Sequence, residues 1–294
     1  MRKIIIIGEC TLDLLFPSAD TLSDAMNVTA VPGGRLLNAA ALLGDAGCDV
    51  TFVGDAANDP IGDFLVSFLG RHGVNTDSID RFTDGITATN MLFQASDTLC
   101  VRDYPSQRFD VMWPRIEADD IVVFGTFFAV DARVRSQLLD LLSYAGERKA
   151  IIVYLPGLLP KQTVRITSVM PSIYENLELT QLIISRSADL VPIFGKKSPQ
   201  EVFKSTFEFY CPLMVDIDAD NSRLTFFRSR TTEERPISGI DSSLHGGAAA
   251  VAGVVQALIS LGITRQILET LTPETAAAFA SEAAAATSAF LHRQ

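Results

Sequence analysis

The stretch Val31-Pro32-Gly33-Gly34-Arg35-Leu36-Leu37-Asn38-Ala39-Ala40 has the residue types of a small-molecule cradle. Adjacent glycines let a ligand approach main-chain N–H groups without meeting a Cβ. They lead straight into an alanine-rich amphipathic helix, whose N-terminal end carries partial positive charge for polar oxygens. Asn38 falls about one turn into that helix. A second pair, Gly246-Gly247, opens a late apolar helix and is suited to holding an anion through main-chain N–H groups. Anion binding alone is not a reaction.

Other signatures fail when their spacing is checked. There is no G-x-G-x-x-G, and Gly195-Lys196-Lys197-Ser198 lacks the earlier glycine of a phosphate-cradling loop. Asp216, Asp218, Asp220 and Asn221 begin like a calcium loop, but Phe227 stands where a bidentate Glu belongs, so they read as a solvated turn between two strands. His72, His245 and His292 are far apart and suggest no metal cluster or nucleophile triad. Cys10, Cys48, Cys100 and Cys211 have neither zinc nor disulfide spacing and read as buried thiols.

The elements that must position these groups follow an α/β rhythm. Ile4–Ile7 is a β-branched run of the kind found in strands covered on both faces. Short apolar runs recur at Val50–Val53, Asp120–Phe124, Ala150–Tyr154, Leu182–Ser185 and Leu213–Val215, with helical stretches such as Arg35–Ala46, Pro60–His72 and Val134–Ala145 among them. This alternation implies right-handed crossovers, hence a mostly parallel sheet with helices on both faces, in a single domain over residues 1–294. Segments of roughly 12–32 and 86–112 break the rhythm and predict a small β lid, with a strand at Ala88–Phe93. Gly246–Gly262 reads as a core helix rather than a membrane span, and Pro273–Leu291 as a helix by alanine propensity.

The chain has 294 residues, a net charge of −11, and 48% hydrophobic against 20% charged residues. That composition is globular, and the charge argues against nucleic-acid or anionic-membrane partners. Only four apolar residues follow Met1-Arg2-Lys3 before Gly8-Glu9, too few for a secretory leader, so a cytoplasmic location is expected.

Gly8-Glu9 with Asp13, then Gly33-Gly34-x-x-x-Asn38, then Val53-Gly54-Asp55-Ala56-Ala57-Asn58-Asp59-Pro60-Ile61-Gly62 follow the order of motifs in the ribokinase-like (PfkB) carbohydrate kinases. Gly73-Val74-Asn75-Thr76-Asp77, the stretch from Thr87, and Asp241-Ser242-Ser243-Leu244-His245-Gly246-Gly247 extend the resemblance over most of the chain. It implies a ribokinase-like fold in which Asp13, Gly33, Gly34 and Asn38 hold a sugar beneath the lid. A carboxylate can accept from two adjacent hydroxyls, and an amide can both donate and accept. For an active kinase the resemblance also implies ATP and magnesium.

The phosphoryl-transfer half departs from the family pattern. Gly247 stands where D-T-x-G-A-G-D ends in the base that deprotonates the sugar hydroxyl. Ser185-Arg186-Ser187-Ala188-Asp189 replaces N-x-x-E, Asp216-Ile217-Asp218 replaces T-x-G, and Leu155-Pro156-Gly157 replaces D-P-N. Loss of a general base costs about 10²–10⁴ in rate. The expectation is therefore a degenerate kinase-like protein that keeps a sugar-like ligand, with weak or absent phosphoryl transfer. The alternatives are a divergent active ATP-dependent sugar kinase, with His245 as a displaced base, and a non-catalytic oligomeric scaffold. Exposed lid strands predict a homodimer.

Overall fold

The computed structural model describes residues 2–17, 26–93, 98–158, 165–195, 197–229, 231–240 and 244–292. In chain order its strands are β1 (Lys3–Ile7), β2 (Thr11–Phe16), β3 (Thr29–Gly33), β4 (Asp49–Ala57), β5 (Asn75–Phe82), β6 (Ile86–Phe93) and β7 (Thr98–Asp103). They continue with β8 (Ile121–Gly125), β9 (Ile151–Leu155), β10 (Leu182–Arg186), β11 (Leu213–Asp218), β12 (Arg223–Arg228) and β13 (Thr231–Pro236). The helices are α1 (Arg35–Asp45), α2 (Pro60–Arg71), α3 (Arg135–Glu147), α4 (Ile166–Leu179), α5 (Ser187–Phe194), α6 (Pro199–Ser205), α7 (Leu244–Ser260), α8 (Arg265–Glu269) and α9 (Pro273–Leu291).

A nine-stranded sheet in the order β13-β12-β11-β10-β9-β8-β1-β4-β5 forms the centre, parallel from β5 to β11 and closed at the other edge by antiparallel β12 and β13. The run Ile4–Ile7 is apolar throughout because both faces of β1 are covered. Ile4 and Ile6 pack with Leu36, Leu37, Ala248 and Phe279, while Ile5 and Ile7 pack with Leu138, Leu141 and Ile173. Among the described residues no helix is long and apolar enough to cross a membrane. The glycine-rich face of α7 instead receives α9: a Cβ on Gly253 would lie 2.2 Å from Thr287 Oγ1.

The lid is a second sheet in the order β3-β2-β6-β7. Its root is tied to α2 by Asp59. The Asp59 carboxylate caps that helix by accepting from Gly62 N (2.7 Å), and it also accepts from Thr87 N (2.8 Å) and Thr87 Oγ1 (2.7 Å).

Three details differ from the sequence reading. The lid strands end at Asp103, and the chain then turns into the core. Arg108, 2% exposed, pairs with Asp55 (3.2 Å) and Asp131 (2.7 Å), and its guanidinium lies 3.4 Å from the centre of the Tyr104 ring. Asp216 is not in a solvated turn but in β11, 2% exposed; the turn begins after Asp218, which accepts from Asn221 and Arg223. Of the four thiols only Cys10 and Cys211 are buried, because Cys48 follows α1 in a surface turn and Cys100 lies in the thin lid sheet.

Candidate functional site

Side-chain contacts link the ends of β1 and β10, the first turns of α1, α5 and α7, and the lid strands. On the lid side, Asp13 of β2 is buried, and its Oδ1 accepts from Asn90 Nδ2 (2.7 Å) and Thr11 Oγ1 (3.4 Å). Burial pushes the Asp13 carboxyl above its usual value against the opposing pull of those bonds. Gly33 is required here, since a Cβ would lie 2.1 Å from Asp13 Oδ1 and 2.3 Å from Thr11 Oγ1. Gly34 precedes α1 at φ 88°, which also favours glycine. Asn38 sits behind the pair, and its amide N–H groups donate to Pro32 O (3.0 Å) and Gly34 O (2.9 Å). It therefore fixes the glycine loop, leaving its Oδ1 as the atom able to meet a ligand.

The lid supplies residues that the sequence did not single out. Arg102 of β7 makes a bidentate pair with Glu9 (2.8 and 2.9 Å), and its Nη2 also donates to Asn90 Oδ1 (2.9 Å). The Tyr104 hydroxyl donates to the same Glu9 carboxylate, and burial and that carboxylate push its pKa well up. These bonds tie the lid to the end of β1. A lone arginine in a strand two residues beyond Cys100 carries no signal of its own; the pairing of Asn90 with Cys100 is what turns it inward.

Gly246 and Gly247 lie in the first turn of α7, while 241–243 fall outside the described residues. Gly247 faces Arg35: a Cβ there would lie 3.0 Å from Arg35 Nε and 3.4 Å from its Cδ. Arg35 Nη1 reaches Asp189 Oδ2 of α5 (2.8 Å), and Arg186 grips the same carboxylate through Nε (3.0 Å) and Nη2 (2.8 Å). Burial works against the Asp189 charge, but the two guanidiniums outweigh it and hold the carboxyl below its usual value. Gly157 abuts both Asp189 and Thr126, and Thr126 adopts φ 57° and ψ −159°, a conformation that L side chains rarely take.

Asp216 accepts from Ser185 Oγ (2.9 Å) and Ser187 Oγ (3.2 Å), and burial pushes its carboxyl up to about 6. It borders a cavity of about 210 Å³ shared with Asp218, Arg223 and Glu234. A larger cavity, about 700 Å³, lies at the opposite end of the sheet beside Leu213, Arg228 and Leu271, away from all these groups. His245 is in the first turn of α7, and its Nε2 is buried without a hydrogen-bond partner.

The family model described as pfkB family carbohydrate kinase matches residues 1–210. The chain belongs to that family. Among curated relatives, this pfkB family member is 30% identical over 108 residues to a ribokinase of Bacillus subtilis, covering 34% of this chain and 37% of the relative. It is 26% identical over 126 residues to a putative sugar kinase of Pyrococcus horikoshii, covering 41% of each. These sequence matches thus span about two fifths of either relative. The fold likeness is fuller. A fructokinase of Xylella fastidiosa superimposes with a TM-score of 0.77 at 19% identity, over 99% of this chain and 94% of that one. A Vibrio cholerae fructokinase gives a TM-score of 0.80 at 15% identity, over 100% and 93%. An aminoimidazole riboside kinase of Salmonella enterica gives 0.77 at 17%, over 99% and 94%. At these identities the structures establish the ribokinase-like fold and not the substrate.

Proposed function

We propose that this pfkB family member binds a sugar-like polyol between β2, the Gly33-Gly34 loop and the lid, and that its phosphoryl transfer is weak or absent. The reading rests on Arg35 packed against Gly247. Where the family pattern puts a proton acceptor, this chain has a glycine faced by a guanidinium, which cannot take a proton from a hydroxyl. The neighbouring carboxylate, Asp189, is held by two guanidiniums and has lowered proton affinity, so it is a poor replacement. The same commitment leaves Asp189 a poor partner for magnesium or its waters. With its charge so committed, Asp189 does not fit the one or two free carboxylates that magnesium takes beside substrate phosphates, and the carboxylates of Asp216 and Asp218 do not suit a polyphosphate.

The polyol half supports binding. Among the described residues the hydrogen bonds to Asp13 fall on Oδ1, which supports Oδ2 as an acceptor for a ligand hydroxyl. Thermal melts with a panel of pentoses, hexoses and ATP–Mg²⁺, run beside coupled ADP-release assays, test both halves. A sugar should raise Tm, Asp13→Ala should abolish the rise, and ATP–Mg²⁺ should leave Tm unchanged, since only a ligand of the native state stabilises it. Sugar-dependent ADP release at about 1–100 s⁻¹, the range of ordinary kinases, would overturn the loss of chemistry.

One observation favours a second reading, a divergent active kinase. The buried, unpartnered Nε2 of His245 is a nitrogen available as a displaced base. In that case ADP release depends on a sugar and disappears in His245→Ala.

A further inference from the structure

The cavity of about 700 Å³ at the far end of the sheet plays no part in the polyol site. It lies where the start of β11, the end of β12 and the loop from α8 into α9 meet. Its volume falls within the range of about 300–1,000 Å³ usual for small-molecule sites. Antiparallel pairing sets Leu213 opposite Arg228 and so brings an apolar and a charged side chain to the same wall.

Two charges of opposite sign line this cavity, and neither is spent on the other. Arg228 Nη2 donates to Leu271 O, which fixes the guanidinium on a main-chain carbonyl. Among the described residues that guanidinium has no carboxylate partner, and Glu208, on the segment before β11, has no cationic partner. The other carboxylate at the cavity, Glu269, is held by Arg265 Nε (3.1 Å). Pro212, Leu213, Leu271 and Pro273 make much of the remaining wall apolar.

This combination selects for the charge type of a ligand. A simple anion satisfies Arg228 but meets Glu208 and a chain of net charge −11, while a simple cation satisfies Glu208 but meets Arg228. A neutral molecule with a carboxylate at one point, an ammonium at another and an apolar body meets every feature at once. Its carboxylate gains a charge-assisted bond to a guanidinium that Leu271 O already holds in place.

We infer that this cavity is a second ligand site, for a zwitterion with an apolar side chain: a free α-amino acid of the leucine or phenylalanine kind, or the corresponding dipeptide. Arg228 receives the carboxylate, Glu208 the ammonium group, and Leu213 and Leu271 the side chain. The site stands apart from Asp13 and does not depend on sugar binding.

Calorimetric titration of the full chain tests it with L-leucine, L-phenylalanine and leucyl-leucine, beside the one-charge analogues isoamylamine, phenethylamine, isocaproate and hydrocinnamate. At least one zwitterion should bind tenfold or more tighter than every one-charge analogue, and leucine against leucyl-leucine shows which length the cavity takes. Glu208→Gln should weaken that zwitterion tenfold or more, to the level of the deaminated acid, without weakening the acid itself. Arg228→Met should bring it down to the level of the amine. If that variant does not fold, because Arg228 also holds Leu271, Glu208→Gln and the wild-type analogue series decide. Asp13→Ala should leave the affinity unchanged. No binding of any zwitterion at millimolar concentration, an amine or acid that binds as tightly as its zwitterion, undiminished affinity in Glu208→Gln, or binding lost in Asp13→Ala would each overturn the inference. The polyol reading is judged separately, by the sugar melts described above.

Discussion

Gly247 and Arg35 are complementary: the glycine has no side chain because the arginine lies where one would go. Restoring a carboxylate by Gly247→Asp puts its Cβ 3.0 Å from Arg35 Nε, so the new group pairs with the guanidinium instead of serving as a free base. ADP release in Gly247→Asp should therefore stay at the wild-type background in a coupled assay with each sugar and ATP–Mg²⁺. Gly33 makes the opposite kind of demand, since any side chain there collides with Asp13 and Thr11. Gly33→Ala should cost about 1–3 kcal/mol by overpacking and abolish any sugar-induced rise in Tm, both read from melts with and without ligand. Gly33, Gly34 and Asn38 were visible in the sequence because their types alone specify a turn leading into a helix. The role of Arg35 was not visible, because an arginine at the start of a helix looks solvated until α5 and α7 are brought against it.

Elements were legible where burial alone sets their pattern. The run Ile4–Ile7 and the alanines of Pro273–Leu291 announce a doubly covered strand and a closely packed helix, and both are present. Legibility failed where the environment of a polar residue is set from a distance. Asp216 looks like a turn residue by type, but hydroxyls of the neighbouring β10–α5 corner satisfy it within β11. Arg108 looks like part of an exposed lid, but Asp55 and Asp131 draw it inward. The α7–α9 contact provides a test at this scale. A Cβ at Gly253 would lie 2.6 Å from Thr287 N as well as 2.2 Å from its Oγ1. Gly253→Ala should therefore destabilise the protein by about 1–3 kcal/mol despite its better helix propensity, lowering the midpoint of urea unfolding with little change in slope.

For the whole molecule, pH should act through buried carboxyls. Burial pushes Asp55 up to about 7 against the attraction of Arg108, and Asp216 up to about 6. Both bind their proton more tightly folded than unfolded, where an aspartate titrates near about 3.9. Their contribution to stability is therefore complete below about pH 4 and is lost as pH rises through about 6 to 7. The lowered carboxyls of Asp59, Asp189 and Asp218 act in the opposite sense at lower pH, losing their contribution as pH falls through their folded-state values. Urea midpoints measured between about pH 5 and 8 should fall with rising pH, and Asp55→Asn should flatten that slope. Oligomeric state is a second property at this scale. Strand register puts Leu14, Phe16, Met91, Phe93, Leu99 and Val101 on the lid face opposite Asp13, with Phe16 and Phe93 stacked at 4.5 Å and Leu99 56% exposed. A second copy laid on this face is the expected cover. Light scattering should give the mass of a dimer for the wild type and of a monomer for Leu99→Glu.

The bonds from Asp59 to Gly62 and Thr87 also constrain how this molecule can be recombined with its relatives. One carboxylate starts a helix and anchors a strand, so the two are not separable modules. A chimera that imports a foreign lid without a donor at position 87 loosens the start of α2 as well, and a working graft must carry both positions as one cassette.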